Sequence, residues 1–266
     1  MLAMKRMTRQ ALVGLALIFA AAAAPVSAPA QGALASLFTS FCVEEGCSVI
    51  PGPTGAPVTL EYYLPKKATS PAPAVLLLHG SDGMARYSDG YREAAKGLAT
   101  QGYAAFIVHY YQGAPGMPVP GPQDRDLPDR RAFVPWLATV NSTVGYISSL
   151  PCVDANRVGI LGFSLGGFLG ATQASLDPRI KSVAILSAGM PMEFATQLKW
   201  MPPALIVHGD QDPDVAVSEA YRLANILGRH GWVHDLMILP GEGHLPYQCY
   251  KEPVAKRVLC WFDSTL

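Results

Sequence analysis

Ser164 lies in a sequence context that is typical of a catalytic nucleophile. The pentapeptide Gly162-Phe163-Ser164-Leu165-Gly166 follows a short aliphatic segment at residues 158–161 and precedes a segment of helical character. When a strand is joined to a helix by a sharp turn, a serine in that turn lies at the carboxyl end of the strand. Its neighbours must be small so that the strand and the helix can approach each other. The pentapeptide alone could arise by chance in a glycine-rich chain. The flanking strand and helix favour a nucleophile at Ser164.

His244 is the predicted base for this serine, because a hydroxyl becomes nucleophilic only when a base removes its proton. It lies on the glycine-rich loop Pro240-Gly-Glu-Gly-His244, after a predicted strand at residues 233–238. The other five histidines have simpler explanations. His79 and His208 lie in strand-to-loop turns, where backbone hydrogen bonding is usual, His109 ends a strand, and His230 and His234 flank a turn where we expect solvation.

The imidazole in turn needs an orienting carboxylate, and three aspartates compete for that role. Asp210, Asp212 and Asp214 all follow a predicted strand at residues 204–208. Asp214 also suits the N-cap of a helix predicted over residues 215–228. Because open α/β sheets place their sites at the carboxyl ends of strands, these acids, Ser164 and His244 should meet at one edge.

These residues match a known family: the chain resembles the α/β-hydrolase superfamily and, within it, the dienelactone hydrolase group. The similarity covers about residue 58 to the C-terminus and is densest at residues 150–167, in His208-Gly209-x-x-Asp212-x-x-Val215 and in Gly243-His244. The resemblance implies Ser164 as nucleophile, Asp212 as acid and His244 as base. It also implies an oxyanion hole formed by the backbone N–H groups of Leu165 and Ser81. One departure is serine at a position where the namesake enzymes have cysteine.

The rest of the chain predicts alternating strands and helices, and hence a mostly parallel central sheet with helices on both faces. Predicted strands lie at 58–64, 74–78, 103–109, 158–161, 180–186, 204–208 and 233–238, and predicted helices at 87–100, 135–150, 165 onward, 215–228 and 253–262. The proline- and glycine-rich segment 112–128 is expected to be a loop, either a lid or a surface loop without a function.

The N-terminus predicts export. Residues 1–30 carry Lys5, Arg6 and Arg9 without an acid, then an apolar run at 11–24 and the small-residue end Ala28-Pro29-Ala30, which is typical of a cleaved secretory signal peptide. We therefore expect a secreted or periplasmic protein without a membrane anchor, and three parts: the signal peptide 1–30, an N-terminal extension 31–57 and a hydrolase domain 58–266. The remainder has 17 basic and 20 acidic residues, so no basic patch suggests nucleic acid.

Five cysteines in an exported chain permit disulfides but leave an odd thiol. Cys42 and Cys47 enclose a tight loop and are the favoured pair. Cys249 and Cys260 could join only if Cys249 lies outside the last helix, and Cys152 is expected to be a buried thiol.

Together these features predict an exported serine hydrolase that cleaves carboxylic esters, lactones included, through an acyl-enzyme. No cofactor or metal is required, and the expected partner is a small-molecule ester. Two alternatives remain open: a non-catalytic binding protein on the same fold, and a small serine peptidase.

Overall fold

A single twisted sheet of eight strands organises the part of the chain that the computed structural model describes, residues 45–65, 70–117, 130–244 and 251–266. The strand order is β1-β2-β4-β3-β5-β6-β7-β8. In chain order the strands are β1 Glu45–Pro51, β2 Pro57–Tyr63, β3 Ala72–Leu78, β4 Ala104–Val108, β5 Val153–Phe163, β6 Ile180–Leu186, β7 Ala204–Gly209 and β8 His234–Leu239. The β1–β2 and β2–β4 pairs are antiparallel, and the remaining pairs are parallel.

Helices cover both faces of this sheet. They are α1 Ser88–Thr100, α2 Arg130–Ser148, α3 Leu165–Leu176, α4 Met192–Ala195, α5 Ser218–Arg229 and α6 Lys251–Thr265, with a 3-10 turn at Tyr110–Gly113. Helices α2, α3 and α5 pack on one face with Leu76, Ile160 and Ile206, whereas α1 and α6 pack on the other with Leu77 and Leu161. Because β3, β4, β6 and β7 are buried on both faces along nearly their whole length, they read in sequence as apolar runs. The predicted fold class, a mostly parallel sheet between helices, is confirmed.

The structure differs from the sequence prediction mainly at element ends. Strand β1 lies inside the segment expected to be an N-terminal extension, where it pairs along its whole length with β2. Helix α5 begins at Ser218 with Val217 at its N-cap, so the prediction of Asp214 as that cap is wrong. The backbone N–H groups of the turn at residues 212–215 instead donate to the Asp212 carboxylate. Helix α2 begins at Arg130, so Pro135 lies inside the helix rather than at its start.

Several predictions fall on residues outside those described. The signal peptide 1–30 lies there, as do residues 118–128 of the expected loop, Cys42 and Cys249. The favoured Cys42–Cys47 disulfide does not appear, because Cys47 carries a free thiol on β1, and Cys260 is likewise a free thiol. Cys152 is half-buried in the turn before β5 rather than fully buried. Within the described residues, no helix is both long and apolar enough to cross a membrane.

A buried ion pair attaches α1 to the antiparallel side of the sheet. Glu61 on β2 is buried and accepts two hydrogen bonds from Arg92 on α1, at 2.8 and 3.0 Å. His109, after β4, lies 3.0 Å from the same carboxylate through Nε2. Burial alone would raise the pKa of Glu61, but the hydrogen bonds from His109 and Arg92 outweigh burial and lower the pKa to about 2.

This depressed pKa predicts a specific loss of stability in acid. A glutamate with a pKa of about 4.3 when unfolded and about 2 when folded stabilises the fold above pH 5, and that contribution disappears as the pH falls towards 2. It amounts to about 3 kcal/mol at 1.36 kcal/mol per pKa unit. Urea unfolding of wild type and Glu61→Gln between pH 7 and pH 2 should show stabilities that differ at neutral pH and converge in acid. Parallel curves would contradict the assignment.

Candidate active site

Ser164 occupies a left-handed backbone conformation between β5 and α3. Its φ is 52° and its ψ −123°, unusual values for a residue other than glycine, and its residual exposure is 7%. The hydroxyl therefore leaves the carboxyl end of a central strand at the first turn of a helix. Strained backbone of this kind is characteristic of the turn that presents a nucleophile.

The neighbouring glycines make this turn possible. A Cβ at Gly162 would lie 2.2 Å from the carbonyl oxygen of Gly166, and a Cβ at Gly166 would lie 2.2 Å from the carbonyl oxygen of Leu78 on β3. Real Cβ atoms do not approach backbone oxygen so closely. The spacing of small residues seen in the sequence is thus a packing requirement of the turn.

A continuous chain of hydrogen bonds joins Ser164, His244 and Asp212. Nε2 of His244 lies 2.9 Å from Ser164 Oγ, and Nδ1 lies 2.9 and 3.1 Å from the two carboxylate oxygens of Asp212. An ionised carboxylate can only accept, so Nδ1 carries the proton and Nε2 accepts from the serine hydroxyl. The side chain of Asp212 is fully buried, whereas that of His244 is 16% exposed. This arrangement can remove a proton from Ser164 and stabilise the resulting imidazolium.

The Asp212 carboxylate is saturated with donors. Oδ1 accepts the backbone N–H groups of Asp214 and Val215, each at 2.9 Å, and Oδ2 lies 3.1 Å from Nε2 of His208. Burial favours the neutral acid, but hydrogen bonds from His208 and His244 outweigh it and hold the pKa of Asp212 well below its usual range. The acid is therefore charged at every pH at which the protein would work.

The structure separates the three competing aspartates. Asp212 bonds to Nδ1 of His244 through both of its carboxylate oxygens. Asp210 instead accepts the backbone N–H of Gly241 at 2.7 Å and so ties the loop after β7 to the loop after β8. Asp214 is exposed.

Asp212, Asp214 and His244 also offer ligand atoms within 4.8 Å of one another, a spacing compatible with a metal ion. The Asp212 and His244 atoms in question already bond to each other. A metal there would displace the hydrogen bond that orients the imidazole, so we assign this set to proton transfer.

The predicted oxyanion donors, Leu165 and Ser81, belong to two segments next to Ser164, the start of α3 and the loop after β3. Leu165 is the first residue of α3, and the first N–H groups of a helix have no acceptor within the helix. Ser81 lies in the loop after β3, which passes beside Ser164: a Cβ built on Gly80 would be 3.4 Å from Ser164 Cβ. Both amides belong to the edge of the sheet at which Ser164 is presented.

Three tyrosine hydroxyls hold the loop that carries Ser81. The hydroxyl of Tyr110 donates to the carbonyl of His79 at 2.8 Å, and that of Tyr111 donates to the carbonyl of Ser81 at 2.9 Å. The N–H of the intervening Gly80 donates to the hydroxyl of Tyr91 at 2.8 Å. Every residue of the loop from 79 to 81 is therefore fixed by a phenol. Gly80's amide is engaged, which leaves Ser81 as the next amide beside Ser164.

Two features of this site were not predicted from sequence. His208 was interpreted as a turn residue, and its bond to the Val215 carbonyl at 2.9 Å fits that reading, but it also contacts Asp212. Its position four residues before an aspartate was the available signal. The three tyrosines come from two different elements, so their convergence on one loop depends on tertiary structure.

An eight-stranded, mostly parallel sheet between helices, with these side chains after β5, β7 and β8, defines the α/β-hydrolase fold. The model of the dienelactone hydrolase family matches residues 60–254. The chain belongs to the dienelactone hydrolase family, and it is accordingly a hydrolase.

A curated relative and two solved structures are similar to this chain, and the solved structures share its fold. A Synechocystis protein assigned as a carboxymethylenebutenolidase is 24% identical in an alignment of 200 positions that covers 69% of this chain and 79% of that protein. A Klebsiella pneumoniae structure assigned as a dienelactone hydrolase superposes with a TM-score of 0.68 at 20% identity, over 82% of this chain and 98% of that one. The acylaminoacyl peptidase of Pyrococcus horikoshii has a TM-score of 0.67 at 15% identity, over 87% of this chain but 43% of its own.

The packing of the turn at Ser164 predicts that the cost of a glycine to alanine change depends strongly on its position. Gly166→Ala would force a methyl group into backbone oxygen atoms of β3, and we expect a loss of at least about 2 kcal/mol in the free energy of unfolding. Gly145→Ala is the matched control, because that helical Cβ would meet only the flexible end of Arg179 and alanine favours helix by about 1 kcal/mol. Urea denaturation measures both. Equal stability of the two variants would contradict the close approach.

Proposed function

We propose that the protein is an exported serine hydrolase that cleaves small carboxylic esters, lactones included, through an acyl-enzyme. The observation that carries the proposal is the hydrogen-bonded chain Ser164–His244–Asp212 at the edge of the sheet. A nucleophile, a base and an orienting acid at these distances are the set that acyl transfer requires. Membership in a family of hydrolases supports the same reaction.

In the proposed mechanism Ser164 Oγ attacks the ester carbonyl while its proton passes to Nε2 of His244. The carbonyl π electrons move to oxygen, and the N–H groups of Leu165 and Ser81 stabilise the negative charge. Collapse of this intermediate breaks the bond to the alkoxy oxygen, which takes the proton from His244. Water then repeats the cycle on the acyl-enzyme, with His244 again as base, and releases the acid and free Ser164. Asp212 stays ionised throughout and stabilises the imidazolium.

Two other functions are less well supported. A serine peptidase would use the same residues, and the peptidase structures share this fold, but this chain spans less than half of the acylaminoacyl peptidase it superposes on. A binding protein that had lost catalysis would have no need for a buried, charged Asp212 aligned on His244. A Bradyrhizobium relative is 24% identical over 210 residues and is assigned as a 2-oxo-3-(5-oxofuran-2-ylidene)propanoate lactonase. Because a lactone is a cyclic ester, the name of this relative also favours ester-bond cleavage.

Export is proposed on the N-terminal sequence alone. A basic start, an apolar core and a small-residue cleavage site favour passage through a secretory system. The proposed small-molecule ester substrate would then be bound outside the cytoplasm. N-terminal sequencing of protein recovered from the medium or periplasm should begin at Gln31. Recovery of the full-length chain from the cytoplasm alone would contradict export.

The proposed nucleophile is tested by a fluorophosphonate and a panel of activated esters of increasing acyl length. Wild type should be labelled at Ser164 and should hydrolyse at least one ester. Ser164→Ala should lose labelling and about 10⁴- to 10⁶-fold in kcat. The control is Ser187→Ala: Ser187 is also buried and has a positive φ, of 50°, at the end of neighbouring β6, yet it has no part in the proposed reaction. Labelling that survives in Ser164→Ala would place the nucleophile elsewhere.

The tyrosines around the oxyanion loop yield a second test. Tyr111→Phe removes the hydrogen bond to the Ser81 carbonyl, and a bond worth about 1 kcal/mol corresponds to about a fivefold loss in kcat with little change in KM. Tyr103→Phe is the matched control, since it removes a phenol bonded at 2.7 Å to Asp263, on α6 and away from the loop. Equal effects of the two variants on kcat would show that the Tyr111 hydroxyl does not support the oxyanion site.

A further inference from the structure

His208 lies at the end of β7, with its side chain fully buried behind the candidate acid. Its Nε2 atom lies 2.9 Å from the carbonyl oxygen of Val215 and 3.1 Å from Oδ2 of Asp212. Both partners are acceptors, so Nε2 carries a proton and shares it between them. One imidazole therefore contacts the first and the last residue of the turn 212–215.

This contact closes the turn into a ring. The Asp212 carboxylate accepts the N–H of Val215, and the carbonyl of the same Val215 accepts from His208. His208 then returns to the carboxylate. The position of Oδ2 is consequently fixed from two sides, by His208 on β7 and by His244 on the loop after β8. Rotation of the carboxylate about its Cβ–Cγ bond would break both contacts.

Packing alone does not account for a histidine here. The other ring nitrogen, Nδ1, is buried and has no hydrogen-bond partner among the residues that the structure describes. A buried polar atom without a partner is destabilising by about 1–3 kcal/mol, so an apolar side chain would suit a purely structural position better. What an apolar side chain cannot supply is the donor at Nε2.

We infer that His208 is a positioning residue for the proposed reaction, whose Nε2–H group fixes the Asp212 carboxylate in the orientation that aligns His244 on Ser164. The inference rests on the proposed function. It assigns His208 no contact with substrate and no proton transfer. Loss of the donor leaves Asp212 free to rotate and His244 less well aligned, which affects the transition state more than substrate binding.

The test compares two amides of different reach. In glutamine the amide nitrogen lies about where Nε2 of histidine lies, whereas in asparagine it lies about where Nδ1 lies. His208→Gln should retain kcat within about threefold of wild type. His208→Asn should lower kcat about 10- to 100-fold at nearly unchanged KM, the range seen when the partner of an active-site ligand is removed. His208→Met, which fills the space without a donor, should behave like His208→Asn.

Two measurements make the result decisive. Thermal unfolding of each variant separates a positioning effect from loss of the fold, and if His208→Asn does not fold, the comparison of Gln with Met replaces it. Proton NMR gives a readout that needs no substrate, because an imidazole Nδ1 proton bonded to a carboxylate resonates far downfield. That resonance of His244 should persist in His208→Gln and be lost or shifted in His208→Asn and His208→Met.

Equal kcat in Gln, Asn and Met variants, with the downfield resonance intact in all three, would overturn the inference and leave His208 as a turn residue. So would a kcat loss in each variant that follows its loss of thermal stability. Failure of the proposed function is recognised separately: wild type would then neither hydrolyse esters nor react with a fluorophosphonate, while the NMR comparison would still report whether His208 orders Asp212.

Discussion

The left-handed backbone at Ser164 is the constraint on which the rest of this structure depends. That turn brings α3 so close to β5 and β3 that no side chain fits at Gly162 or Gly166. The strain is tolerated because β5 is central in the sheet, with β3 and β6 paired on either side and helices on both faces. The strained turn at the carboxyl edge of the sheet is thus held in place by the burial of β5 at the centre of the sheet.

Sequence reasoning succeeded where chemistry coincides with the ends of buried strands. Ser164 and His244 each follow an aliphatic run, and parallel strands bring their carboxyl ends to one edge, so their convergence could be predicted. It was weaker where several residues satisfied the same rule. Spacing could not choose among the three aspartates, and Asp212 was selected by resemblance to a family. In the structure Asp212 is distinguished by a long-range contact, because its carboxylate bonds to His244 from the loop after β8, and such a contact cannot be inferred from spacing.

Other misses have equally local causes. Strand β1 has the sequence Glu-Gly-Cys-Ser-Val-Ile-Pro, with only two strongly apolar residues, because an edge strand is buried on few positions. Asp214 was interpreted as a helix cap because it precedes a valine-rich segment, but the chain uses residues 212–215 to wrap a carboxylate before α5 begins at Ser218. The function of the turn therefore displaced the start of the helix.

Serine rather than cysteine at position 164 makes the alignment of His244 by Asp212 more important. A thiol is already partly ionised near neutral pH, whereas a serine hydroxyl remains protonated until a base takes the proton during attack. The alignment of that base depends on Asp212, whose carboxylate receives hydrogen bonds from two histidines and two backbone amides. A buried carboxylate with fewer donors would become easier to protonate, and a protonated acid could no longer stabilise the imidazolium. The dense set of donors around Asp212 is therefore what the proposed reaction at Ser164 would require of this fold.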